Sequence, residues 1–363
     1  MSIKHILRFA TVVALALAVS TSAFAGWTVS YLKPAGSTVS LAHGISDGQQ
    51  VGYANISGPV GQTQAGMWSG TSASWVDIHP AGSTSSRIYG VSGGQQVGYA
   101  VIGYLDHAAL WTGTAASWVD LSPTGSTHSR AYGVSGGQQV GYASISGQSR
   151  AGLWNGTAAS WVSLHPAGIL HSYAYGISGG QQVGYVRIGS NYHAGLWAGT
   201  AESFADLHPI GSTDSYAYGV SGGQQVGYAV IGGYTHAGLW TGTAESYVDL
   251  SPNWSSWSEA CGASGAYQFG YARITGNDHA GLWTGTAESW SDLHGVLETK
   301  YAHSYARAIE VTGSDIWVVG YAFNVSTGYY EAVMWHNVVP EPSGLFALAS
   351  GLATLGLLWR RRG

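Results

Sequence analysis

A single cysteine, Cys261, leaves this chain without an intrachain disulfide framework, so its stability has to come from packing. Basic charge is scarce as well. The sequence holds 13 Lys and Arg against 18 Asp and Glu, and Lys4, Arg8, Arg360, Arg361 and Arg362 all stand near the ends. What remains between them is acidic, with no basic stripe to engage phosphates, which argues against a nucleic-acid partner. Stretches of helical period are missing from the body of the chain, where aromatic and β-branched residues are broken up by Gly, Ser, Thr and Pro. No isolated pair of carboxylates stands out as the acid and base of a glycosidase.

The two ends differ from the body. Residues 1–25 join a basic head, Lys4 and Arg8, to the apolar run "FATVVALALAV" and the small residues Ala23 and Ala25, the pattern of a secretory signal peptide cut after Ala25. Residues 338–363 read "VVPEPSGLFALASGLATLGLLWRRRG". The apolar run from about Gly344 to Trp359 is marginally short against the roughly 20 residues that cross a bilayer, and the closing arginines would hold the tail on the cytoplasmic side. Tripeptide, short transmembrane helix and basic tail in that order resemble the PEP-CTERM sorting signal of Gram-negative bacteria. The resemblance implies that an exosortase-type processing enzyme recognises Pro340, Glu341 and Pro342. Transient anchoring in the inner membrane, removal of the tail with Arg360, Arg361 and Arg362, and export to the surface or extracellular matrix would follow. Residues 26–337 form the expected mature body.

That body is repetitive. A tyrosine after "VG" or "FG" recurs at Tyr53, Tyr99, Tyr142, Tyr185, Tyr228, Tyr271 and Tyr321, mostly 43 residues apart. A tryptophan closes an "AGLW"-like segment at Trp68, Trp111, Trp154, Trp197, Trp240, Trp283 and Trp335. Each copy carries four segments of strand character, such as "SWVDL" from Ser117, "RAYGVS" from Arg130, "QQVGYASI" from Gln138 and "AGLW" from Ala151. The pairs beginning at Gly93, Gly136, Gly179 and Gly222 fit two-residue hairpin turns, which need positive φ. Length and strand count predict an all-β fold, a seven-bladed β-propeller of four-stranded repeats, with a β-solenoid as the alternative. The last copy lacks an outer strand after Trp335, and Trp27–Leu32 would supply it and close the ring. The order "HAGLW", "DL", "S.AYGVS", "QQVGYA" resembles the HAF family of extracellular repeats, which implies an exported repeat protein without supplying a reaction.

Apparent catalytic motifs dissolve into this repeat. G-x-S-x-G begins at Gly44, Gly90, Gly133, Gly176 and Gly219, but a nucleophile elbow needs a strand turning into a helix, and each match leads into another strand. His107, His193, His236 and His279 occupy equivalent sites in different copies and would not converge on one metal. Asp77, Asp120, Asp206, Asp249 and Asp292 suit turn-side hydrogen bonds. No catalytic residue, metal ligand or cofactor is assigned. The sixth copy departs from its siblings in "SPNWSSWSEACGASG", where Trp254 and Trp257 enter a connection otherwise built of small and polar residues and Cys261 replaces a strand tyrosine. The two indoles either cover the rim or offer a stacking platform for a sugar, and Cys261 reads as a small buried hydrophobe. The expected function is an exported, surface- or matrix-associated protein with a structural or binding role in the exopolysaccharide layer. The alternative is an exported propeller enzyme, hydrolase or lyase, acting on polysaccharide.

Overall fold

Gly136 and Gly137 both adopt left-handed backbone, at φ 57° and 80°. They close a two-residue turn between Ser126–Ser135 and Gln138–Ile145, and this twist matches that of the flanking strands. The first of these strands bulges between Ala131 and Gly133, which brings it close to its partner: a Cβ on Gly141 would lie 1.9 Å from the carbonyl oxygen of Arg130. Gln148–Trp154 adds a third strand and Val162–Ser163 a short outer one. Together they form one blade.

The computed structural model describes residues 26–56 and 62–338. Within them the pattern recurs as seven four-stranded antiparallel sheets. Six take all four strands in chain order. The seventh combines Tyr301–Thr312, Asp315–Asn324 and Tyr329–Val338 with Thr28–Tyr31, which pairs in the register Thr28↔His336 to Tyr31↔Val333. The N-terminal strand therefore closes a seven-bladed β-propeller, and a solenoid with two free ends is ruled out. The expected leader, residues 1–25, and the sorting segment, including Pro340, Glu341, Pro342 and the three arginines, lie outside the described residues.

Neighbouring blades are joined by a buried apolar layer and by two polar devices. Each of the seven repeat tryptophans is essentially fully buried. Trp154 packs on Val97, Leu110 and Leu121 of the blade before it. Burying one such side chain stabilises the body by roughly 1.5–3 kcal/mol before entropy is subtracted. A buried serine on each inner strand accepts the backbone N–H of an alanine on the preceding blade. The pairs run from Ala65 to Ser86 at 2.9 Å, through Ala108 and Ser129, to Ala332 and Ser40 at 3.0 Å across the closure. The second glutamine of "QQ" supplies the other device. Gln139 donates to the carbonyls of Gly137 at 2.6 Å and of the Gln95 side chain at 3.1 Å, and its own oxygen accepts the N–H of Gly156 at 2.8 Å. One side chain thus fixes two turns of its blade and reaches the preceding one.

Candidate functional site

Alternation along the inner strands fixes which side chains reach the axis. Seven equivalent positions, His43, Tyr89, Tyr132, Tyr175, Tyr218, Cys261 and Arg307, line a central channel of about 590 Å³. Tyr89, Tyr132, Tyr175 and Tyr218 contact one another in series, with ring centroids 5.3, 4.5 and 5.3 Å apart. The tyrosine series is interrupted where the sixth, seventh and first blades meet.

In that gap the Arg307 guanidinium donates to the Tyr321 hydroxyl through Nε, at 3.0 Å, and through Nη2, while Nη1 lies 3.5 Å from Cys261 Sγ. Burial pushes the Cys261 thiol up to about 11, against the opposing pull of Arg307. At neutral pH it is a protonated thiol rather than a nucleophilic thiolate. Cys261 is therefore only half-buried rather than the buried hydrophobe expected: one side packs against the apolar core and the other borders the channel and touches a cation. Burial, together with repulsion by Arg307 and Arg87, lowers His43 to about 3. It is neutral at physiological pH, and its Nε2 makes no hydrogen bond to the protein. Glu259 supplies the carboxylate on the channel wall and accepts the indole N–H of Trp257 at 3.1 Å. Beside the channel, a second cavity of about 600 Å³ lies between the seventh, first and second blades.

The repeated histidines and acids stay within their own blades. Nδ1 of His107, His193, His236 and His279 lies 2.8–2.9 Å from Oδ2 of Asp120, Asp206, Asp249 and Asp292. The second oxygen of each acid accepts a backbone N–H two residues on, as from Ser122 to Asp120 at 2.8 Å. Asp77 makes the same turn bond to His79. Each G-x-S-x-G serine ends an inner strand and is followed by a turn and another strand. Among the described residues no group of three or more His, Cys, Asp or Glu is placed to hold a metal, and no helix is long and apolar enough to cross a membrane.

Trp254 and Trp257 are 51% and 37% exposed on the connection into the sixth blade. They meet different neighbours. Trp254 packs edge-on to Trp290, with centroids 6.3 Å apart, whereas Trp257 lies under the Arg273 guanidinium and holds Glu259. The channel set as a whole was missed from the sequence, although aligning the seven inner strands at the channel tyrosine exposes His43, Cys261 and Arg307 as the odd members.

The architecture places the chain among β-propeller proteins. No protein-family model matches it, and no curated protein does. Among solved structures it is similar to puromycin hydrolase, at 11% identity and TM-score 0.56, covering 86% of this chain and 56% of that one. It is also similar to the β-propeller domain of the Trilobed protease from Pyrococcus furiosus, at 8% identity and TM-score 0.56, with coverage of 84% and 99%. Pyrococcus horikoshii acylaminoacyl peptidase follows at 10% identity and TM-score 0.54, with coverage of 87% and 55%. The chain thus spans little more than half the length of puromycin hydrolase and of the acylaminoacyl peptidase. At these identities the likeness establishes the fold alone.

Proposed function

We propose that this chain is an exported propeller, held at the cell surface or in the extracellular matrix, that binds its partner rather than transforming it, with exopolysaccharide as the partner class. The observation that carries the reading is the distribution of exposed large apolar side chains. Tyr104, Ile210, Tyr234, Trp254, Trp257 and Tyr329 all emerge on one face of the ring, from the second-to-third strand hairpins and the blade-to-blade links. The opposite face ends in turns such as Gly93–Gly94 and Gly136–Gly137. Amphipathic rings on an exposed rim are suited to stacking on sugar faces.

Two observations support binding over chemistry: the repeated polar side chains are engaged in holding blades together, and the channel thiol is protonated. Export follows from the leader and the likeness of residues 338–363 to a sorting signal. The test has two arms. Protein recovered from the cell surface should begin at Gly26 and lack residues 344–363 by mass spectrometry. Replacing Trp254 and Trp257 together with alanine should abolish binding to the producing cell's exopolysaccharide while leaving the melting temperature unchanged. Intact termini refute cleavage of the leader and the sorting segment, and unaltered binding refutes the role of the two indoles.

A further inference from the structure

Arg87 and Arg130 hold equivalent places on the inner strands of the second and third blades. Each guanidinium lies over a tyrosine of the preceding blade, Arg87 at 4.6 Å from the Tyr53 centroid and Arg130 at 4.4 Å from that of Tyr99. Their counter-ions differ. Arg130 Nε donates to Asp106 at 2.8 Å. The residue at the corresponding place on the first blade is Thr63, and Arg87 Nε donates to its hydroxyl at 3.1 Å. Arg87 therefore keeps the setting of its sibling without the carboxylate.

Arg87 shares its cavity with Arg307, which is held by the Tyr321 hydroxyl and Cys261 and likewise forms no ion pair among the described residues. Among the described residues no acidic side chain lines this cavity, and residues 57–61, between Asn55 and Thr63, include none. Asp278, which accepts the Tyr305 hydroxyl at 2.8 Å, is already paired with Arg273 at 2.8 Å. Two guanidinium groups facing one cavity with no anion between them are costly to keep, and a ligand carboxylate matches their planar, forked donors. The remaining walls include Tyr305 and Tyr330, aromatic surface suited to packing against a ring.

We propose that this cavity, at the meeting of the seventh, first and second blades, binds a carboxylate carried on a six-membered ring, with Arg87 and Arg307 as its cationic contacts. The site is separate from Trp254 and Trp257, and its test is independent of export. Purified full chain is titrated calorimetrically with glucuronate, benzoate and glucose. Binding of glucuronate in preference to glucose identifies a sugar acid, and binding of benzoate in preference to glucuronate identifies an aromatic acid. No binding of either acid, or equal binding of glucose, overturns the proposal.

Thr63→Asp restores the counter-ion that Asp106 gives Arg130 and should weaken acid binding at least about tenfold, whereas Thr63→Asn, of the same shape and uncharged, should stay within about twofold of the parent. Equal behaviour of the two variants overturns the proposal. Should Thr63→Asp fail to fold, judged by its melting curve, Arg87→Gln decides: a loss of about tenfold supports the site, and retained affinity removes it.

Discussion

Gly141 shows how little room the inner wall leaves. A methyl group there would press on the Arg130 carbonyl, and that backbone carries the bulge from which Tyr132 reaches the channel. Gly141→Ala should therefore cost at least about 2 kcal/mol in urea denaturation. In the sequence, Gly141 and Ala143 alternate around Tyr142, and that alternation marks a crowded face because close packing selects small residues directly. The buried serines and glutamines were not. Ser129 and Gln139 act on neighbouring blades, and a sequence names the type of a polar residue without naming its partner. The channel group was hidden for the same reason. His43, Cys261 and Arg307 come from three blades and meet only when the ring closes.

At the scale of the strand, period and turn chemistry specified nearly everything, with errors at the margins. The third strand begins at Gln148 rather than Ala151 and the inner strand at Ser126 rather than Arg130, because backbone pairing continues into polar residues beyond the apolar core. Conversely, "SWVDL" yields only Val119–Asp120 as strand. The preceding Ala115–Ser117 turns as 3-10 helix, with the Ser117 hydroxyl donating to the Thr114 carbonyl at 2.6 Å. The hairpins permit a graded test. In the sixth and seventh blades only the first turn residue, Gly265 or Gly313, has positive φ, while Ala266 and Ser314 do not. The second position can therefore leave the left-handed region without losing the turn. Gly136→Ala should be the more destabilising change, by about 1–2 kcal/mol, and Gly137→Ala should cost less, compared by thermal unfolding of the two variants.

The whole ring depends on its closure. Thr28–Tyr31 covers the Tyr329–Val338 edge, and Lys33 Nζ meets Glu331 at 3.0 Å. Glu331 also accepts Tyr301 at 2.7 Å and Asn324 at 3.2 Å. Burial would raise its pKa, but the Tyr301, Lys33 and Asn324 donors outweigh burial and hold it below the usual range. Its contribution is thus present above the unfolded value of about 4.3 and lost as pH falls through the lower folded value. The difference in melting temperature between the parent and Glu331→Gln should shrink as pH drops from about 5 toward 3. Deleting residues 27–32 should lower the melting temperature at every pH and speed hydrogen exchange along 329–338. That closing strand also sets an order in time. Thr28 donates to the carbonyl of His336 across 308 positions of chain, so the strand emerges before the other described strands during synthesis and is the last to find its place. Until the seventh blade exists it has no edge to complete, and the six blades between must assemble as an open arc around a segment that is waiting.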